Sequence, residues 1–441
     1  MPKPSPRSKP SRRAAPKASG KSLTAQAKRL DNFTESVIRE QTRLANVHGS
    51  VNLAQGFPDF PCENVLKDLA RQAVDSDHNQ YSVTWGMPAL RQALSAKLKA
   101  YNGIDADPDR NITVTCGATE AMICAFLSQL DPGKEVILFQ PFYENYHPDA
   151  YLSGAKPVYV TLREPDWHID EKELRKAFNS RTAAIVLNTP HNPTGKVFTR
   201  AELALISGLC QKWGVLVFSD EIYEHILYDG AVHVSPASVP GLEDRTVTIG
   251  SASKTYGITG WRVGWAVAPE GITNGLRRVH DFMTVCAATP LQEAVRGALG
   301  LGPAFYQDLS RHYLQRRDFL VRGLEEAGFR CHLPRGAYYV MADVADFVKG
   351  AGPKGARTTA SGTKGGGTKR SMRFGSDTEL ARYLVEEVKV ATVPGSSFYR
   401  AKSGGLIGAR ADHKLRFCFC KKEETLALAI ERLQKFRQAH G

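Results

Sequence analysis

At 441 residues, with 42% hydrophobic and 23% charged side chains, the chain can bury a large core in two lobes and has the balance of a globular protein. The net charge of +13 suggests a nucleic-acid binder until it is located: residues 1–29 hold nine Lys/Arg and residues 349–373 hold seven, with no acid in either, so the remaining chain is slightly acidic. No apolar run approaches the roughly 18–20 residues that span a bilayer, and eight cysteines scattered without a CxxC pair speak for free thiols in a reducing compartment.

The opening "MPKPSPRSKPSRRAAPKASGK" has no apolar segment of the secretory type. It is basic and acid-free, as organelle transit peptides are, but its five prolines make a poor amphipathic helix. Residues 1–23 are therefore read as a disordered basic tail on a cytoplasmic protein, with a transit peptide as the alternative. Next, "FTESVIREQTRLANVHG" (33–49) predicts a helix with Thr34 as its cap and Gly49 as its stop. "VNLAQGFPDFP" (51–61) predicts a short strand running into a Gly/Pro turn. Residues 24–62 are assigned to a small domain that the C-terminal part completes.

From residue 63 to 304 helices alternate with short β-branched runs. Strands are expected at 111–116, 135–140, 156–162, 183–188, 215–219, 246–250 and 263–268, and helices at 119–130, 170–179 and 200–213. Such alternation argues for an α/β domain with a mostly parallel seven-stranded sheet between helices. Function should then collect at the carboxyl ends of the strands. After residue 305 a long charged helix (305–327), "CHLPRGAYYVMADV", a strand "KLRFCFC" and a closing helix predict a smaller α+β domain over 305–441. The Gly/Thr/Lys stretch 350–371 reads as a mobile insertion in it.

Four motifs fall at predicted strand ends. In "VTCGATEAMICAFLSQL" (114–130) a strand runs through Gly117, Ala118 and Thr119 into a helix, which aims backbone N–H groups at an anion. In "LNTPHNPTGKV" (187–197) a strand stops before a turn carrying Asn192, with His191 read as a loop histidine. "VFSDEIY" (217–223) ends a buried strand in Asp220 and, three on, Tyr223. "SASKTYGITGWRVGW" (251–265) holds the single lysine Lys254 between Ser251 and Arg262, a pattern suited to an imine-forming amine beside a phosphate. Taken alone, each has a plain reading as turn or cap chemistry; together and in this order they form a constellation.

That constellation resembles the fold type I pyridoxal-phosphate enzymes, specifically class I/II aminotransferases. "NLAQGFPDFP", "QYSVTWGMPALR", "PFYENY" and "LRFCFCKKEETL" are similar to the kynurenine, glutamine–phenylpyruvate and methionine aminotransferase branch. The resemblance implies pyridoxal 5′-phosphate as cofactor and a ping-pong transfer of an amino group from an L-amino acid to a 2-oxo acid. It implies Lys254 as the amine that carries the cofactor and moves the proton. Asp220 would pair with the pyridine nitrogen, and Tyr223 and Asn192 with the ring hydroxyl oxygen. Ala118, Thr119, Ser251 and Arg262 would hold the phosphate, joined by Tyr81 from a neighbouring subunit of a homodimer. Phe142 would stack on the ring. Arg416 would grip the substrate α-carboxylate, beside the Gly56 backbone and Asn192. Phe142, Tyr143, Tyr338 and Phe398 are expected to line an apolar pocket for an aromatic or sulfur-containing side chain. The alternative reaction on the same cofactor is β-elimination from cysteine conjugates. A ligand-sensing regulator of this fold would need an attached DNA-binding domain, and the first 30 residues are too short and irregular for one. Neither nucleic acid nor membrane is expected as a partner.

Overall fold

A computed structural model describes residues 26–348, 373–400 and 413–440. The basic tail and the insertion 350–371 lie outside them.

Helix α1 (Val37–His48) is the first long element. Its cap is Ser36, whose hydroxyl accepts the Arg39 N–H, and not Thr34, whose hydroxyl donates to the adjacent Glu35 carbonyl. Gly49, at φ +60°, ends it in the left-handed conformation that glycine adopts without strain. The chain then forms the two-residue strand β1 (Val51–Asn52), and helices α2 (Asn64–Asp75) and α3 (Pro88–Lys97) follow.

All seven expected central strands are present: β2 (Ile112–Thr115), β3 (Glu135–Gln140), β4 (Lys156–Arg163), β6 (Thr182–Asn188), β7 (Leu216–Asp220), β8 (Thr246–Ser251) and β9 (Gly264–Val267). A two-residue edge strand, β5 (His168–Ile169), makes the sheet eight-stranded, in the order β2-β9-β8-β7-β6-β3-β4-β5. The run β8-β7-β6-β3-β4 is parallel, whereas β9 is antiparallel to both neighbours and β5 to β4. Helices α4 (Ala118–Gln129), α5 (Tyr146–Ser153) and Arg200–Trp213 connect the strands; the last begins with a reciprocal Thr199/Glu202 capping box.

Period-two alternation explains how the helices sandwich the sheet. Ile137, Phe139, Ile185 and Leu187 enter one core, while Val136, Leu138, Ala184 and Val186 enter the other. Each larger aliphatic side chain so buried contributes roughly 1.5–3 kcal/mol. With both faces covered, the parallel strands β2, β3, β6, β7 and β8 end along one edge, and there the chain must turn.

The C-terminal part has its own core, built on a long helix (Pro303–Glu326), the closing helix (Glu423–His440) and an antiparallel sheet. That sheet has the order β10 (Arg330–His332), β11 (Tyr339–Asp343), β14 (Lys414–Cys418), β13 (Val393–Pro394). Strand β1 pairs in parallel with β12 (Val390–Ala391), and the Ser50 hydroxyl donates to the Val385 carbonyl at 2.6 Å. The N-terminal helix and strand thus pack on the C-terminal part.

Candidate active site

Where the parallel strands end, a cavity of about 190 Å³ opens against β11, β14 and the start of α1. Lys254, Asp220, Asn192, Tyr223, Ser251, Arg262, Ala118, Thr119, Gly56 and Arg416 all line it. Ten residues spread over some 360 positions therefore converge, most of them from the ends of the central strands and Gly56 and Arg416 from the loop after β1 and from β14.

One end of the cavity is built for an anion. Helix α4 starts at Gly117, at φ +83°, which has no side chain to cap the first-turn N–H groups. A Cβ on Gly117 would lie 2.2 Å from Arg262 Nη2, and one on Gly264 would lie 2.6 Å from the Ala118 nitrogen. Gly117 is thus needed for the guanidinium to approach the helix start, and Gly264 for β9 to pass close beneath it. Arg262 is held by donating to the Thr259 carbonyl at 3.1 Å. Ser251 and Ser253 complete this end, their hydroxyls 2.8 Å apart. The dipole of α4, one guanidinium and two hydroxyls leave a concentration of donors that a phosphate would satisfy.

In the middle sits Lys254, one turn past the end of β8. Its ammonium donates to the Gly56 carbonyl at 3.2 Å and lies 5.6–5.8 Å from the ring centroids of Tyr338 and Tyr223. Burial lowers its pKa to about 8, against an attractive contribution from Asp220. Asp220 ends β7; its carboxylate accepts from Tyr146 Oη at 2.6 Å. Burial pushes it up to about 6, and the Tyr146 bond and the Ile222 N–H pull it back. Asn188, paired with Asp220 across β6 and β7, donates to the Asp220 carbonyl and accepts the Asn192 N–H, which fixes the turn. Tyr223 Oη meets Tyr339 Oη at 3.1 Å. His191 is buried, bound to Thr194 and held far below the usual histidine range, near 3, so it is a neutral loop histidine.

Arg416, fully buried on β14, forms the third part. Nη1 donates to Asn192 Oδ1 at 2.8 Å and Nη2 to the Ala54 carbonyl at 2.6 Å, while Nε has no partner. The guanidinium lies 4.2 Å from the Tyr339 ring centroid and 4.9 Å from that of Phe398. Among the described residues no carboxylate pairs with it. A buried unpaired cation with a free N–H is a demand for an anion.

The fold matches at this point are close. The family model described as aminotransferase class I and II covers residues 49–433. The chain belongs to that family. Human kynurenine–oxoglutarate transaminase 1 is 35% identical over 93% of this chain and 98% of its own. A probable N-succinyldiaminopimelate aminotransferase of Mycobacterium tuberculosis is 36% identical over 92% of this chain and 97% of its own. Among solved structures, the N-succinyldiaminopimelate aminotransferase from M. tuberculosis superposes with a TM-score of 0.84, at 35% identity over 93% of this chain and all of that one. An Escherichia coli protein described with a methionine aminotransferase function gives 0.81, at 33% identity over 93% of this chain and 99% of that one.

This aminotransferase therefore uses pyridoxal 5′-phosphate and moves an amino group from an amino acid to a 2-oxo acid. Its residues fit that cofactor on three independent observations: the Gly117 cradle beside Arg262, the enclosed low-pKa Lys254, and the buried Asp220 across the cavity. Three aromatic expectations need correction. Phe142 does not line the cavity; it is 1% exposed and stacks on Tyr159 at 5.6 Å, so the adjacent Tyr143 supplies the wall. Tyr338 is not in the lining either; it sits behind Gly56, donating to the Gly56 carbonyl at 2.7 Å, and Tyr339 lines the cavity. Phe398 lies behind Arg416 and is absent from the lining. Tyr81 is 84% exposed and outside the cavity of this chain. Reading from sequence also missed Tyr146, Asp149, Ile38 and Arg39, which all line the cavity.

Proposed function

We propose an aminotransferase acting on amino acids with aromatic or sulfur-containing side chains, with Lys254 as its catalytic residue. The observation that carries the role assignments is the pairing, in one cavity, of an enclosed amine of pKa about 8 with a buried guanidinium whose Nε is unmet.

When bound, the cofactor supplies an electron sink for the charge left at the substrate Cα. Ala118 and Thr119 N–H groups, Ser251 and Arg262 would hold the phosphate, and Asp220, kept anionic by Tyr146, would hold a proton on the ring nitrogen. Tyr143, in place of Phe142, would be the aromatic wall beside the ring. Tyr223 and Asn192 donate to the ring oxygen, and Asn192 also holds Arg416. Arg416 takes the α-carboxylate and so fixes the Cα–H bond toward Lys254. Lys254 would be the residue that holds the cofactor, and its Nζ, beside the substrate Cα, would take the Cα proton and redeliver it. A pKa near 8 leaves a useful fraction of free amine at neutral pH.

The aromatic and apolar walls Tyr143, Tyr339, Ile38 and Met122 support the substrate class. A homodimer is supported by Tyr81 and by Phe282, 94% exposed, both large side chains that a second copy would cover. Tyr81 of one protomer would then reach the phosphate end of the other. Eight cysteines without a disulfide support a cytoplasmic location, and among the described residues no helix is long and apolar enough to cross a membrane.

Borohydride reduction followed by peptide mapping tests the core of this reading: the label should sit on Lys254 and vanish in Lys254→Ala. A label that persists in that variant refutes the assignment. A screen of amino acids for loss of the bound cofactor's absorbance reads the substrate class, and sedimentation reads the dimer.

A further inference from the structure

The mouth of the cavity is made by the start of α1. Ser36, Ile38 and Arg39 form one side, facing Tyr143 and Glu144, with Gln55 close by. The Ser36 hydroxyl ties the two sides, accepting the Arg39 N–H at 3.2 Å and donating to Glu144 Oε1. Ile38 anchors the same turn in the core. The backbone that carries Arg39 is therefore fixed against the opposite wall.

The Arg39 side chain itself is unspent. It makes no ion pair among the described residues, whereas Arg43, one turn on, pairs with Glu35 at 3.5 Å. Its charge reaches inward, for it lowers the phenol pKa of Tyr143 against burial. The other cations that line the cavity are already engaged: Lys254 by the Gly56 carbonyl, Arg416 by Asn192 and Ala54, and Arg262 by the Thr259 carbonyl.

We propose that Arg39 is the subsite for the distal carboxylate of a dicarboxylic substrate, above all a dicarboxylic 2-oxo acid acting as amino acceptor. This rests on the aminotransferase reading above. A ping-pong enzyme admits two substrates in turn to one cavity, and Arg416 can hold the α-carboxylate of both. Their side chains pose opposite demands. An aromatic or thioether chain lies along Tyr143 and Tyr339 and leaves Arg39 in water, where an exposed guanidinium pays no desolvation. A second carboxylate laid on those rings would be desolvated without a partner. Arg39, at the open end, gives it a planar fork. Glu144 opposes such an anion, and the hydrogen bond its carboxylate accepts from the Ser36 hydroxyl offsets part of that charge.

The test uses the holoenzyme, with Arg39→Ala, Arg39→Lys and Glu144→Gln. Acceptor half-reactions with 2-oxoglutarate and 2-oxopentanoate, acids of equal chain length, give a discrimination ratio in kcat/KM. Arg39→Ala should lower that ratio about tenfold, Arg39→Lys less, and the loss should shrink with added salt because the site is exposed. Calorimetric titration with the unreactive pair glutarate and pentanoate should show the same ratio in Kd. Glu144→Gln should raise the ratio about two- to threefold. An equal change for both acids in Arg39→Ala, or an unchanged ratio, overturns the proposal, as does a ratio that falls in Glu144→Gln. If no amino acid donates to the wild-type enzyme, the functional reading fails, while the glutarate and pentanoate titrations still decide the subsite.

Discussion

Tyr146→Phe removes one atom from the centre of the site. The phenol donates to Asp220 Oδ2 at 2.6 Å inside a protein interior, and the ring packs edge-on against Tyr143 at 5.7 Å. Phenylalanine keeps that packing and deletes only the hydrogen bond. A bond to a buried carboxylate is worth roughly 1.5–3 kcal/mol, and 1.36 kcal/mol is one pKa unit, so Asp220 should move up by about 1–2 units. It starts at about 6 and should reach about 7–8 in the cofactor-free variant. Asp220 serves only as an anion, so cofactor affinity is lost as pH falls through its pKa. The acid limb should accordingly lie near 6 in the wild type and higher in the variant. Pyridoxine 5′-phosphate is the right probe, because it lacks the aldehyde and cannot bond to Lys254. Its affinity, titrated from pH 5 to 9, should show the shifted limb and a deficit of about two- to tenfold at pH 7. A limb that moves by less than about 0.3 unit would refute the claim that Tyr146 holds Asp220 ionised. The folded-state pKa of Asp220 lies above the ordinary carboxylate value, so the cofactor-free fold loses stability as pH rises toward 6. Tyr146→Phe should carry that loss further toward neutrality.

Asp149 lines the same cavity with Oδ2 buried and unpartnered, and burial pushes its pKa to about 8. Unfolding frees this acid to ionise, so wild-type stability should fall between about pH 4 and 8; Asp149→Asn should remove that slope and raise the Tm, most at pH 8, by an amount worth a few kcal/mol. Equal Tm values at pH 8 would show that the carboxyl is solvated. Gly117→Ala combines a positive φ with a Cβ 2.2 Å from Arg262 Nη2 and should weaken pyridoxine 5′-phosphate binding roughly 10–100-fold. Gly271→Ala, with open space around its Cβ, is the control. Arg416→Lys keeps the charge but cannot fork between Asn192, Ala54 and a carboxylate; KM for every amino acid should rise about 10²-fold with the cofactor still bound. Retained affinity in a half-reaction titration would argue against its carboxylate role.

The sheet was legible because its signal is redundant. Runs such as "EVILFQ" and "TAAIVLN" are buried on both faces, so β-branched and aliphatic residues fill every position and the strand announces itself. The two-residue strand β5 carries no such run and was invisible. The cap of α1 failed for a related reason: "TES" offers two hydroxyls two residues apart. Only tertiary structure, the Ser36–Glu144 bond over 108 positions, chooses between them.

The site was legible where residue type alone fixes the chemistry, as with Lys254, Asp220, Asn192 and Arg416. It was misread where a pair of similar neighbours differs only in the side it faces. Phe142 and Tyr143 are consecutive aromatics, as are Tyr338 and Tyr339, and either member of each pair has the chemistry to line a cavity. Adjacent residues of an extended chain point to opposite sides, so a one-residue change of parity exchanges core and cavity. The register of β11 on β14, which sets Tyr339 opposite Cys418 and Met341 opposite Arg416, decides the second pair. The Phe142 N–H bond to the Phe398 carbonyl, with Phe142 seated on Tyr159, fixes the first. Both constraints join segments far apart in sequence. The same holds for Tyr146, whose partner is 74 residues away, and for Asp149, whose burial nothing in "NYHPDAYLSGA" signals. Motifs report which groups the reaction needs; the orientation of their neighbours is a property of packing, and it is these neighbours that set the pKa of Asp220 and the shape of the substrate end.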